Sequence, residues 1–397
     1  MNSINLRGEF WPTSQQGLLL RAALLRGEKA LDAWHEWKGS VDFEELDAAS
    51  LRLLPLLHRN LSQHGVEDVL MGRFKGIHRM TWYRNHRLFR NMASVVRSLQ
   101  DIGLPTMILK GAALIALYYR DHGLRAVGDV DVLVPTKDAS AALDLLLRSG
   151  WGSKKLKSPS MLTESYLAHL HGVLLKDAAA QRFDLHWHVL IDSCGANADA
   201  EFWGGAVEVE LEDVRTYALN PTDQLLHVCV HGARWATPPT FQWAADAMTV
   251  MRSAEPGIDW TRLVTQVEKH RCVLPLRGTL SYLRDELEAP IPSEVLQSLQ
   301  TMPVTDLERS EYEARTNPWA ARGPWEELRS KYLRYALLMH VAGLRPKLLG
   351  FPRFLMNTWG LEHLWQLPLS AVLKTAYRIG EMSAWYVGGL GNRYSRR

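Results

Sequence analysis

Apolar positions along this chain follow a helical period, switch to a strand-like one, and then return. In the first hundred residues they recur at three- and four-residue spacing. Leu18, Leu19, Leu20, Ala23, Leu24 and Leu25, then Ala30, Leu31 and Trp34, predict a helix over 16–35 with a break near Gly27. Leu46, Leu51, Leu53, Leu54, Leu56 and Leu57 predict a second over 42–60. Ile77, Met80, Trp82, Leu88, Met92, Val95, Val96 and Leu99 predict a longer one over 74–102, stopped by Gly103 and Pro105. Between 104 and 218 the pattern shortens. Residues 106–109 predict a strand, Lys110 and Gly111 a turn, 112–120 a helix and 129–134 a second strand. A helix over 139–149 should end at Gly150. Residues 151–157 predict an edge strand and 160–166 a connector. Residues 169–175 and 183–191 predict a hairpin, and 208–212 with 214–219 a short, acidic, exposed pair. From Asn220 onward the helical period returns. The expected architecture is α+β: helical 1–103, a mixed-sheet core at 104–218, and helical 219–397.

The second strand of the core breaks its own pattern. Asp129 and Asp131 stand two apart among valines, so they share a face while Val130 and Val132 point into the core. Two carboxylates on one face repel unless a cation lies between them. Mg²⁺ takes carboxylate oxygens together with substrate phosphates. The preceding turn, with Lys110 and the backbone N–H groups at the helix start, could hold such phosphates. Asp184, His186 and His188 alternate on a later strand and are expected to share a face. His227 and His231 are four apart on one helix, and Asp246 lies on the next. Those last groups read either as a site or as a buried His–Asp tie between helices.

Three pieces together resemble a known family. Leu109-Lys-Gly-Ala-Ala-Leu114, Asp129-Val-Asp-Val-Leu-Val134 and Phe183-Asp-Leu-His-Trp187 are similar to an uncharacterised bacterial nucleotidyltransferase-like family with the DNA polymerase β-like fold. The resemblance implies a polymerase-β-like core and transfer of a nucleoside monophosphate from an NTP, ATP first among them, to a hydroxyl. Asp129, Asp131 and Asp184 would be the catalytic carboxylates and the ligands of one or two Mg²⁺ ions. Lys110, Gly111, Ala112 and His186 would face the nucleotide. Ala112 stands where the family usually has Ser, which weakens the expected phosphate grip. The implied acceptor is a small molecule, peptide or glycan, in a tailoring step of natural-product, peptide or polysaccharide synthesis. Two rivals stand beside this reading: a metal-dependent phosphotransferase or hydrolase, and a non-catalytic helical binding module that keeps the fold.

Composition narrows the partners. A net charge of +3 over 397 residues is too small to make nucleic acid the main partner. Three widely spaced cysteines suit a reducing compartment, and residues 1–9 lack the pattern of a secretory leader, so the cytoplasm is expected. Five arginines on 74–102 (Arg79, Arg84, Arg87, Arg90 and Arg97) read as a solvated face or as contacts to a triphosphate. Residues 321–397 hold twelve Lys or Arg against four Asp or Glu, interleaved with aromatics. That stretch reads as a basic helical rim, a peripheral membrane contact or a surface for an acidic partner.

Overall fold

The computed structural model describes residues 11–234, 241–316, 323–339 and 344–394. Four helices come first: α1 (Ser14–Leu24), α2 (Glu28–Ser40), α3 (Ala48–Gln63) and α4 (Met71–Asp101). Thr13 and Gln16 close a capping box on α1, and Asp47 caps α3 through the amides of Ala49 and Ser50. The break between α1 and α2 falls at Gly27, whose φ of 62° suits a residue without Cβ.

Strand β1 (Met107–Leu109) then leads into α5 (Lys110–Leu114), a π-helical turn (Ile115–Tyr119) and β2 (Val130–Leu133). Helices α6 (Ala139–Arg148) and α7 (Glu164–His169) precede the hairpin β3 (Gly172–Lys176) and β4 (Arg182–His186). Helix α8 (Ala200–Gly204) precedes a second hairpin, β5 (Val207–Leu211) and β6 (Val214–Ala218). The six strands form one mixed sheet in the order β3-β4-β2-β1-β6-β5. β1 is antiparallel to β2 and parallel to β6, while β2 and β4 run parallel.

The two sheet faces serve different cores. Ile108, Val130, Val132, Phe183 and Leu185 face the second half of α4 and α6. Met107, Leu109 and Leu133 face the opposite way, into a larger cluster. That cluster is built by α1–α3, the start of α4, and α9 (Pro221–Gly232), α10 (Gln242–Ser253), α11 (Trp260–Lys269), α12 (Val273–Leu287) and α13 (Ser293–Thr301). Helices α14 (Asp306–Thr316), α15 (Pro324–Leu338), α16 (Leu344–Trp359) and α17 (Leu367–Tyr394) follow. Tyr335, Phe354 and Leu355 make a small core between α15 and α16, while Trp325, Trp365 and Tyr377 stay exposed. The α+β mixed-sheet reading therefore holds.

Several local expectations do not. Residues 151–157 contribute one isolated bridge, Gly152 to Lys176, rather than an edge strand. The expected connector at 160–166 is largely helical, with α7 beginning at Glu164. β4 ends at His186 instead of running to 191. β6 is an interior strand, because β1 takes up its free edge; of that pair β5 alone lies at a sheet margin. Residues 1–9 lie outside the described part. Among the described residues no helix is long and apolar enough to cross a membrane.

Candidate active site

Strand register brings the acidic and basic groups together. Leu109 pairs with Asp131, and on the other side of β2 Asp131 pairs with Asp184 and Leu133 with His186. Residues directly opposite in neighbouring strands share a face, so Asp131 and Asp184 stand side by side. Lys110 follows β1 in a left-handed conformation, φ 46°, and α5 begins at once. Its Nζ lies 2.5 Å from Asp131 Oδ1. His186 Nε2 lies 3.0 Å from the same oxygen and 3.3 Å from Asp184 Oδ2. Ligand atoms of Asp131, Asp184 and His186 all fall within 4.8 Å of one another, a spacing that could hold a metal ion. Asp129, just before β2, turns toward Arg182, at 3.3 Å.

The charges explain one another. Burial would raise the Asp131 carboxyl, but Lys110 and then His186 outweigh it and hold the group far below the usual carboxylate range. Burial, helped by the Asp131 charge, raises Asp129 despite Arg182 and Lys110. Lys110 itself is pulled down by burial, yet Asp131 and Asp184 leave it above the ordinary lysine value. His186 is pulled down by burial and Lys110, then lifted past its ordinary value by Asp184 and Asp131. Beyond it lies His171, ring centroids 5.0 Å apart, which burial and the His186 charge keep neutral.

Lys110, Asp129 and Asp131 open onto a cavity of about 390 Å³. One wall is Lys110, Gly111 and the loop 125–129; the other is His227, His231 and Arg234 after α9, with Gln242, Trp243 and Asp246 of α10. The loop lies so close to the turn that a Cβ on Gly111 would stand 2.5 Å from Arg125 Nη1 and 2.9 Å from a Val127 methyl. Arg125 ties the walls together. Its Nε and Nη2 donate to the Asp246 carboxylate at 2.7 and 2.8 Å, and the Tyr119 hydroxyl donates to the same carboxylate at 2.8 Å. His227 is pushed down to about 3, by burial first and then by Lys110 and His186, so it lines the cavity uncharged. Arg234 donates to Asp192 at 2.5 Å. Arg315 reaches the same carboxylate at 2.8 Å, and the Arg334 Nε stands 3.7 Å from it. Burial opposes ionisation of Asp192, but the three guanidiniums hold it down at about 2.

Of the residues singled out in the sequence, Lys110, Gly111, Asp129, Asp131, His227, His231 and Asp246 line the cavity. Asp184 and His186 touch Asp131 from β4. The Ala112 side chain instead packs into the apolar cluster on the other sheet face. His188 does not share the face of Asp184, because the strand has already ended; its Nδ1 faces Asp199 at 2.5 Å and its Nε2 the Leu167 carbonyl. The expected His231–Asp246 tie is replaced by Arg125–Asp246. None of the five α4 arginines lines the cavity; Arg97 pairs with Asp213. Sequence reasoning passed over Arg125, Arg182 and Arg234. Arg125 left a legible signal: a lone charge among Gly123, Leu124, Ala126, Val127 and Gly128, directly before Asp129. Arg234 left none, since its place depends on how α9 docks.

A family described as "Uncharacterised nucleotidyltransferase" matches residues 47–287, more than half of the chain. No curated protein matches it.

Proposed function

As this chain belongs to the uncharacterised nucleotidyltransferase family, we propose that it moves a nucleoside monophosphate from an NTP to a hydroxyl acceptor bound in the cavity between the sheet and the α9–α10 pair. The observation that carries this reading is the Lys110–Asp131–Asp184–His186 cluster, of which Lys110 and Asp131 line a cavity large enough for a nucleotide. The antiparallel β1–β2 pair across a short helix, with β4 parallel to β2, supports a polymerase-β-like core for residues 104–218.

The donor set fits Mg²⁺. Asp131 and Asp184 offer adjacent carboxylate oxygens, and Lys110 already balances part of their charge. Asp129 supplies a third carboxylate at the cavity wall. Mg²⁺ held there would neutralise the triphosphate and polarise the reacting oxygens. His186 Nε2 orients both carboxylates rather than serving as a ligand for so hard an ion. Lys110 and Arg234 are the cations of the cavity wall that would face phosphate oxygens. The acceptor oxygen attacks the α-phosphorus, the bond to the β-phosphate oxygen breaks, pyrophosphate leaves, and the hydroxyl proton passes to Asp184. Positioning and electrostatics supply most of the rate. ATP heads the expected nucleotides, and the acceptor is a small molecule, peptide or glycan in a tailoring step.

The test needs no acceptor. ATP, GTP, CTP and UTP are titrated with and without Mg²⁺ into the wild type and an Asp131→Asn/Asp184→Asn variant, by calorimetry. Mg²⁺-dependent binding of a nucleotide, lost in the variant, is expected. Equal binding by a folded variant would refute the assignment.

A further inference from the structure

A second group of metal-type ligands lies outside the cavity. His86 on α4, His122 in the segment after the π-helical turn, and Glu212 in the β5–β6 turn place one ligand atom each within 4.8 Å of one another. We propose that these three residues bind a transition-metal ion of the Zn²⁺ class, and that the ion clamps the loop bearing Arg125 and Asp129 to the sheet and to α4.

The chemistry fits such an ion. Two imidazoles and one carboxylate with an open fourth position form a common zinc donor set, and imidazole suits the later first-row metals rather than Mg²⁺. Ligands at about 2.0–2.1 Å from a tetrahedral ion stand about 3.4 Å apart. His86 Nδ1 and Glu212 Oε1 are 3.4 Å apart. That is too long for a charge-assisted hydrogen bond of about 2.7–2.9 Å. His122 Nδ1 is buried with no hydrogen-bond partner. A buried ring nitrogen in that state costs free energy unless something takes its lone pair or its proton.

The rings are held rather than free. Trp82 stacks on His86 with centroids 5.0 Å apart, and Phe89 lies 5.1 Å from His122. Asn85, between His86 and Trp82 on the same helix, donates to the carbonyls of His122 at 2.7 Å and Arg125 at 2.6 Å, and accepts from the Val127 amide at 3.2 Å. Second-sphere bonds of this kind fix ligand orientation. Glu212 sits at φ 55°, where Gly or Asn is the usual choice for a hairpin turn. His86 and Glu212 are 34% and 21% exposed, so an ion can enter and keep a water.

The experiment uses the full chain carrying Asp131→Asn/Asp184→Asn, which removes the other candidate metal site. Co²⁺ is titrated in and its visible d–d bands recorded, with Zn²⁺ used to displace it. The parent is expected to take up one equivalent with four- or five-coordinate bands that Zn²⁺ abolishes. His122→Gln and, separately, Glu212→Gln should weaken uptake by about 10–100-fold or more. Glu212 lies in a surface turn, so its variant keeps the proposal testable if His122→Gln fails to fold. Zn²⁺ at a hundredfold over the parent's Kd should raise the parent's unfolding midpoint by about 3 °C and raise those of both variants by about half as much or less. Absence of uptake by the parent, or unchanged uptake by folded Glu212→Gln, overturns the proposal.

Discussion

Replacing Lys110 by Met removes one charge and keeps the length of the side chain. Its Nζ stands 2.5 Å from Asp131 Oδ1, with side-chain exposures of 22% and 5%. At an effective dielectric of 20 that contact is worth about 7 kcal/mol before desolvation is counted. Measured losses on breaking buried pairs are about 3–5 kcal/mol, because the surviving charge stays buried without a partner. Asp131 would keep only His186 as a donor, with the Asp184 charge beside it. Lys110→Met should therefore cost about 3–5 kcal/mol in metal-free buffer. If the carboxylates form a cation site, Mg²⁺ at a hundredfold over its Kd should return about 2.7 kcal/mol. Wild type, which must displace its own ammonium, should gain less. Urea unfolding with EDTA and with Mg²⁺ measures both numbers. A loss below about 1 kcal/mol in EDTA would refute the claim that Lys110 balances a buried acid. A full loss that Mg²⁺ does not repair would refute the cation site while leaving the ion pair standing.

Three further outcomes follow from the geometry. Arg125→Met or Asp246→Leu alone should cost about 3–5 kcal/mol, and the double variant well under the sum, giving a coupling of at least about 2 kcal/mol in a urea double-mutant cycle. Asp192→Asn strands the guanidiniums of Arg234, Arg315 and Arg334 and should cost about 3–5 kcal/mol. In wild type this folded-state acid is depressed to about 2, so its stabilisation is complete above about pH 4 and is lost as pH falls through 2, a limb the Asn variant should lack in acid unfolding. His270 stands at about 4, lowered by burial and then Lys269, and its ring faces Ser193 Oγ and Gln266 Oε1. The unfolded chain binds the proton more tightly, so stability present above pH 6.5 should fall by about 2 kcal/mol by pH 5. His270→Gln should flatten that part of the urea-midpoint profile; an unchanged slope would show that His270 does not titrate this way.

Local pattern determined much of this chain by itself. The helical spacing of 16–35 and 74–102 became α1–α2 and α4, with the break at Gly27 where a positive φ was needed. Alternation around Asp129 and Asp131 put Val130 and Val132 in one core and the carboxylates on the other face. Those features depend on neighbours within a few residues, which a sequence states directly. Partner choice does not. Whether Asp131 would meet Asp184 and His186 depended on β2 and β4 pairing in parallel at one register, and a one-residue slip of β4 would have turned Asp184 and His186 to the other face. The same long-range choice took His188 out of the group, buried β6 inside the sheet, and set Arg125 on Asp246 across 121 residues. Such contacts exchange loop-closure entropy for packing and charge pairing between distant segments. The chemistry-bearing residues were therefore readable one stretch at a time, while their assembly into one cavity belongs to the tertiary fold.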